Sequence, residues 1–202
     1  MNSHTQRGFT LYELLVTVLV LGVVLGLGVP NLLEFSRNNR MAATANDLVS
    51  AIHLARNEAV MRRVPITLCM SPEPIDDNPV CDPDFSDPDS GGGFIVWVDA
   101  DDDGVVDVGE EILLQRDDPQ DVTIIPDSGG TTSGYIRFGA NGFVQNIPSE
   151  GPAATLIRLC DTRGNAVVSG SLSAARALRI PPTGRPSLLI EVAELATVGD
   201  CS

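Results

Sequence analysis

Asp99, Asp101, Asp103, Gly104, Asp107 and Glu110 stand at the spacing D-x-D-x-D-G-x-x-D-x-x-E. In a calcium loop of that spacing, alternating carboxylates and the backbone carbonyl at the seventh position, here Val105, converge on one ion, and the glycine permits the sharp turn. The surroundings differ from such a loop, because β-like residues 94–98 precede it and 112–114 follow it where two helices are usual. A cluster of carboxylates this dense is electrostatically unfavourable without a cation. The two readings are a structural calcium and a solvated acidic hairpin loop, and the chain requires no other cofactor. Asp127-Ser128-Gly129-Gly130 and Asp89-Ser90-Gly91-Gly92 have the form of a serine-protease nucleophile segment, but both lie in polar, turn-like stretches. A triad needs a histidine base, and His53 falls in a helical segment as a surface or boundary residue, so no enzyme is expected. The four cysteines allow three pairings. Cys69 with Cys81 would close a short Pro/Asp-rich loop and Cys160 with Cys201 would tie down the last residues, which makes this pairing the preferred one. No Cys-x-x-Cys knuckle is present to favour zinc.

A different kind of chemistry is implied near the N-terminus. From Leu14 to Leu33 the only polar side chains are Thr17 and Asn31, enough helix, at about 30 Å, to cross one bilayer core. A secretory signal has a shorter apolar run ending in small residues at its cleavage site, whereas this run is long and ends in Val29-Pro30-Asn31. Arg7 just before the run favours a cytoplasmic N-terminus, and Arg37 and Arg40 beyond it reduce the charge asymmetry. Glu13 lies one turn into the apolar stretch, where a carboxylate costs on the order of 2 kcal/mol or more near mid-bilayer. It must either stay wet at the headgroups or meet a cation.

The residues Arg7-Gly8-Phe9-Thr10-Leu11-Tyr12-Glu13-Leu14-Leu15-Val16 resemble the prepilin signature. That resemblance implies a peptidase that cuts between Gly8 and Phe9, methylation of the new N-terminus at Phe9, and a role for Glu13 in filament assembly, pairing with the N-terminal ammonium of a neighbouring subunit. A carboxylate and an ammonium buried among packed helices compensate each other, so the physical argument agrees. Pro30 matches the family's helix-kinking proline, tolerated because membrane helices can re-satisfy the freed backbone group. Tyr12 stands where isoleucine or valine is commoner, with little effect expected.

Past the apolar run, Leu48, Ile52, Ala55 and Ala59 recur at helical spacing, leaving Asp47, Arg56 and Arg63 to solvent. Pro65 predicts the stop, giving a helix from Phe9 to Arg63 on the order of 80 Å long with a break near Pro30. Short β-rich runs follow at 66–69, 94–98, 112–114, 122–125, 135–138, 156–159, 177–180 and 188–190, separated by Gly, Pro, Asp or Ser clusters. The expected class is α+β, a long helix, half transmembrane and half amphipathic, packed on antiparallel sheets. The expected division is a leader at 1–8, a membrane helix at 9–33, a stem helix at 34–64 and a β-rich head at 65–202. Ala55-Arg56-Asn57-Glu58-Ala59, the 94–114 segment and Gly139-Ala140-Asn141-Gly142 resemble the GspH/FimT branch of the pilin superfamily, which implies the pilin fold.

The net charge of -14 disfavours nucleic acid as a partner of the whole surface. From Glu73 to Asp121 there are 17 acidic residues against Arg116 alone, and from Arg158 to Arg185 five arginines against Asp161. Gly184-Arg185-Pro186-Ser187 resembles the Gly-Arg-x-Arg tail of DNA-uptake pilins, with serine in place of the second arginine. Arg176, Arg179 and Arg185 are therefore the candidate DNA contacts of an alternative reading. The leading expectation is a minor pseudopilin or minor pilin near a filament tip, supporting assembly and secretion. Its partners would be a prepilin peptidase, other major and minor subunits and an inner-membrane assembly platform, with the head in the periplasm of a bacterium.

Overall fold

The computed structural model describes residues 9–82, 92–127, 134–147, 151–199 and 201. The calls on Gly8, on Asp89-Ser90-Gly91 and on Ser128-Gly129-Gly130 lie outside the described residues. Two compact units divide at Asn39. The first holds the N-terminal part of helix α1 (Leu11–Arg62). None of its described residues is buried. The second unit runs from Arg40 and contains every residue of the three hydrophobic clusters of the described residues.

Among the described residues ten strands follow α1: β1 (Ile66–Ser71), β2 (Gly93–Val98), β3 (Ile112–Arg116), β4 (Thr123–Asp127), β5 (Tyr135–Phe138), β6 (Val144–Gln145), β7 (Leu156–Cys160), β8 (Val167–Ser169), β9 (Leu172–Arg179) and β10 (Ser187–Glu191). A short helix, α2 (Val192–Leu195), comes next. The first sheet has the order β3-β2-β1-β5-β6 and the second β10-β9-β7-β4, with β8 on β9. All pairings among the named strands are antiparallel. The expected order of one long helix followed by antiparallel sheets is the order found.

Met41, Leu48, Ile52, Ala55 and Ala59 of α1 are wholly buried and share one cluster with Ile66, Leu68 and Met70 of β1, Phe138 of β5, and Ile157 and Leu159 of β7. The helical spacing of the first set and the alternation of the second put these side chains on facing surfaces. Each large one contributes about 1.5–3 kcal/mol on leaving water. Arg56 departs from its expected solvent position, because its Nε donates to the Gly142 carbonyl at 3.0 Å and ties the stem to the turn after β5. The helix ends at Arg62, and Arg63, with φ 59, turns the chain before Pro65 blocks another turn.

The outer faces of both sheets are also covered. Ile95, Trp97, Cys69 and Tyr135 point away from α1 and pack under Ile147 and Ala153. On the second sheet, Ala175, Ala177 and Leu189 pack under Leu195 of α2. A disulfide fastens each cover: Cys69–Cys81 on the first sheet and Cys160–Cys201 on the second, closing loops of 12 and 41 residues. Loops of those lengths contribute about 3 and 4 kcal/mol in the chain-entropy account.

Candidate functional site

Thr10 begins α1 as its N-cap. Its Oγ1 accepts the backbone N–H of Glu13 at 3.2 Å, and its carbonyl accepts that of Leu14. Thr10-Leu11-Tyr12-Glu13 is thus the T-x-x-E start signal of a capped helix, legible in the sequence itself. From Phe9 to Phe35 every large apolar side chain is exposed, Leu11 at 79% and Leu19 at 67% among them. An unpartnered helix that is apolar all round is incompatible with water and requires lipid or other helices. By length and composition α1 can cross a membrane. Glu13 is exposed on this helix, and its carboxylate takes part in no hydrogen bond or ion pair among the described residues. Pro30 lies inside α1 without interrupting it, so the expected break is absent from the helical hydrogen bonding. One proline withholds a single N–H, and the helix on both sides keeps its ladder. Asn31 adds a bond from its Nδ2 to the Leu27 carbonyl at 2.9 Å.

The acidic loop joins β2 to β3. Ligand oxygens of Asp99, Asp101 and Asp103 lie within 4.8 Å of one another. The other expected ligands are placed differently. Glu110 uses both carboxylate oxygens on backbone amides, accepting from Ala100 at 2.9 Å and Asp107 at 3.1 Å. Val105 donates its N–H to Asp103 Oδ1 at 2.8 Å. Asp107 is exposed.

Asp99 is fully buried and accepts from Thr67 Oγ1 at 3.0 Å. It faces the Arg137 guanidinium at 3.5 Å, and Arg137, itself 3% exposed, also contacts Asp102. Arg137 from β5, a residue that sequence reasoning placed in a strand and gave no role, thus places a positive charge beside Asp99 and Asp102. Chelation with EDTA is expected to leave the head's thermal midpoint unchanged, and a midpoint that falls on chelation would show that the loop holds an ion.

The three candidate DNA contacts are not gathered on one surface. Arg176 and Arg179 lie three residues apart on β9, so the pleat sends them to opposite faces. Arg176 is half-buried, with Nη1 donating to the carbonyls of Ser173 at 2.6 Å and Ala175 at 3.2 Å. Burial, reinforced by nearby Arg163, pushes its guanidinium below the ordinary arginine value, while Asp161 acts the other way. Arg163 is paired to Asp161 at 2.5 Å. Arg179 and Arg185 are exposed. Two scattered cations release few phosphate counterions, so titration of the head with duplex DNA is expected to show no salt-dependent binding at moderate ionic strength. Steeply salt-dependent binding would restore the DNA reading. His53 is exposed on the stem.

Comparison with known proteins bears on both ends of the chain. The prokaryotic N-terminal methylation motif matches residues 3–29. The profile described as type II transport protein GspH matches residues 44–184. No curated protein matches the chain. Two crystal forms of the type IV minor pilin FimU of Pseudomonas aeruginosa (strain PAO1) are similar in structure. One has 21% identity, covering 77% of this chain and 92% of that one at a TM-score of 0.47. The other has 21% identity, covering 73% and 91% at 0.43. With its head matched from α1 to the turn before β10, well over half of the 202 residues, and a methylation motif at its N-terminus, the chain belongs to the family of type II transport protein GspH.

Proposed function

We propose that this chain is a minor pseudopilin or minor pilin, a structural subunit at or near the tip of a type II secretion pseudopilus or a type IV pilus. In that role it would support filament assembly and protein secretion. Membership of its family makes it a structural pilin-type protein and not an enzyme. The observation that carries the finer reading is Glu13, a carboxylate without a partner among the described residues, on the part of α1 whose large apolar side chains, up to Phe35, are all exposed. Such a helix is stable first in a bilayer and then among other apolar helices, and Glu13 needs a cation in either place. Cleavage before Phe9 would create that cation as a new N-terminal ammonium, and the matched methylation motif supports processing there. Gly22 and Gly26 stand one turn apart with nothing against them, which allows a neighbouring helix to approach closely. The N-terminus would lie in the cytoplasm and the head in the periplasm, with prepilin peptidase, other subunits and an inner-membrane platform as partners.

The test is to delete the chromosomal copy and score secreted protein and surface pili in the same strain. Lost secretion with intact pili is the result expected of a pseudopilus subunit, and lost pili with normal secretion is that of a minor pilin. Both functions intact would sink the proposal.

A further inference from the structure

After β10 the chain returns over the outer face of the second sheet as a strap, residues 192–199, and is tied down by the Cys160–Cys201 disulfide. The strap lays little on that face. Leu195 is buried and Val198 half-buried there, against Leu189 and the small side chains of Ala175 and Ala177. So small an apolar contact gives a chain end only a weak hold.

The strap is also weak in itself. Its helix α2 is four residues long, the N-cap Glu191 makes no side-chain cap bond, and a helix that short has no stability of its own in water. Val192, at its root, donates to the Ser171 carbonyl at 2.9 Å. The N–H groups of Ala196, Thr197 and Val198 donate to the carbonyls of Val192, Glu194 and Leu195 at 3.0, 3.1 and 3.0 Å, which closes the turn on itself and fastens it to no strand. Thr197 and Val198 border a cleft of about 450 Å³, with Asp127, Leu156 and Arg179 among its other walls, so the strap is undercut on that side.

The disulfide is the strongest tie. The cluster of buried residues under α1 includes none beyond Ile180, so the main core of the described residues is complete without the strap. Cys160, at the end of β7, is 5% exposed, whereas Cys201 is half-buried and is the sulfur that a reductant can reach. We propose that Cys160–Cys201 is a redox site, at which a dithiol reductant releases the C-terminal strap from the second sheet while the rest of the head stays folded. A thiolate of the dithiol bonds to Cys201 Sγ, and the S–S bond breaks with its electron pair going to Cys160 Sγ, which takes a proton. The second thiol of the reductant then displaces Cys201 in the same way, leaving two cysteine thiols and a reductant oxidised to its internal disulfide. Release uncovers Ala175, Ala177 and Leu189. The strap belongs to the head, and its release does not depend on the filament reading.

The experiment uses the full chain in detergent and follows hydrogen exchange by mass spectrometry. In the double variant Cys160→Ala with Cys201→Ala, the amides of residues 196–198 should exchange about a hundredfold faster or more, while those of β1, β5 and the buried stem keep their wild-type rates. Wild-type protein treated with dithiothreitol should show the same local change, with alkylation of Cys201 marking the opened bond. The variant Cys69→Ala with Cys81→Ala removes the other disulfide and should leave 196–198 protected. Unchanged exchange at 196–198 in the first variant overturns the proposal, because packing alone would then hold the strap. Equal loss of protection in β1 and the stem also overturns it, since the bond would then staple the whole head, as does a Cys160–Cys201 bond that dithiothreitol leaves closed in the folded chain.

Discussion

Replacing Arg137 with methionine is expected to destabilise the head by about 3–5 kcal/mol, because it strands a buried carboxylate without its counter-charge. Asp99 is 0% exposed and would keep only Thr67 Oγ1, at 3.0 Å, and the Gly104 N–H, at 3.4 Å. Two neutral or weak donors do not replace a guanidinium at a site that water cannot reach. A loss of that size is a large share of the 5–15 kcal/mol that holds a typical domain together. The companion variant is decisive. Removing both charges, as Arg137→Met with Asp99→Asn, is expected to recover much of the stability, since replacing a whole buried pair is often close to neutral. Urea unfolding of the head gives the four corners of the cycle. A single variant that costs less than about 1 kcal/mol, or a double variant no more stable than the single, would show that the pair does not hold the loop.

Arg137 also shows where sequence reading runs out. In Tyr135-Ile136-Arg137-Phe138 the alternation puts Arg137 on the face opposite Ile136 and Phe138, and the default for that face is solvent. In the fold that face is covered, because residues 147 and 153 and the Cys69–Cys81 segment close over it. Local periodicity cannot announce a cover supplied from elsewhere in the chain. The acidic loop meets the same limit, since it has the spacing of a calcium site and an arginine from a distant strand beside Asp99. Its carboxylates need positive charge, and a pattern of acids does not say whether an ion or a distant side chain supplies it.

The elements that were read correctly are those with a strong local signal. Ile66, Leu68 and the β-branched residues of β2 mark strands by composition, and the Leu48, Ile52, Ala55 and Ala59 face marks the stem by spacing. The first half of β9, Leu172-Ser173-Ala174-Ala175, has no such mark. Small side chains there are buried because they fit under α2 and against the core, which is a fact of packing and not of propensity. β6 and β8, two and three residues long, exist only through their partners β5 and β9. The placing of the candidate DNA contacts was not legible for a more elementary reason. Arg176 and Arg179 are close in sequence, but an odd separation in a strand places them on opposite faces. The β-rich run at 177–180 begins one residue after Arg176, whereas β9 begins at Leu172.

Changing Glu13 to glutamine is expected to leave the protein cleaved and in the membrane but to lower its incorporation into filaments about a hundredfold or more, as loss of a desolvated ion pair worth 3–5 kcal/mol would. Two roles compete for this residue. Thr10 and Glu13 form a helix-start signal in which Thr10 accepts the Glu13 backbone N–H, and in that role the Glu13 side chain need only be able to accept a hydrogen bond and favour the positive end of the helix. Glutamine leaves the Thr10 cap on the backbone untouched and is a customary residue there. It also lowers the cost of placing the segment in a bilayer, so helix formation and membrane insertion should not suffer. What glutamine cannot do is neutralise an ammonium ion on a neighbouring subunit. The measurement is therefore a comparison of two quantities in one strain: processed protein in the membrane fraction and protein recovered in the filament fraction. Normal membrane level with lost incorporation assigns Glu13 to subunit pairing. Normal incorporation would reduce it to a cap, and the unpaired carboxylate on the apolar helix would then be explained by water at the membrane surface.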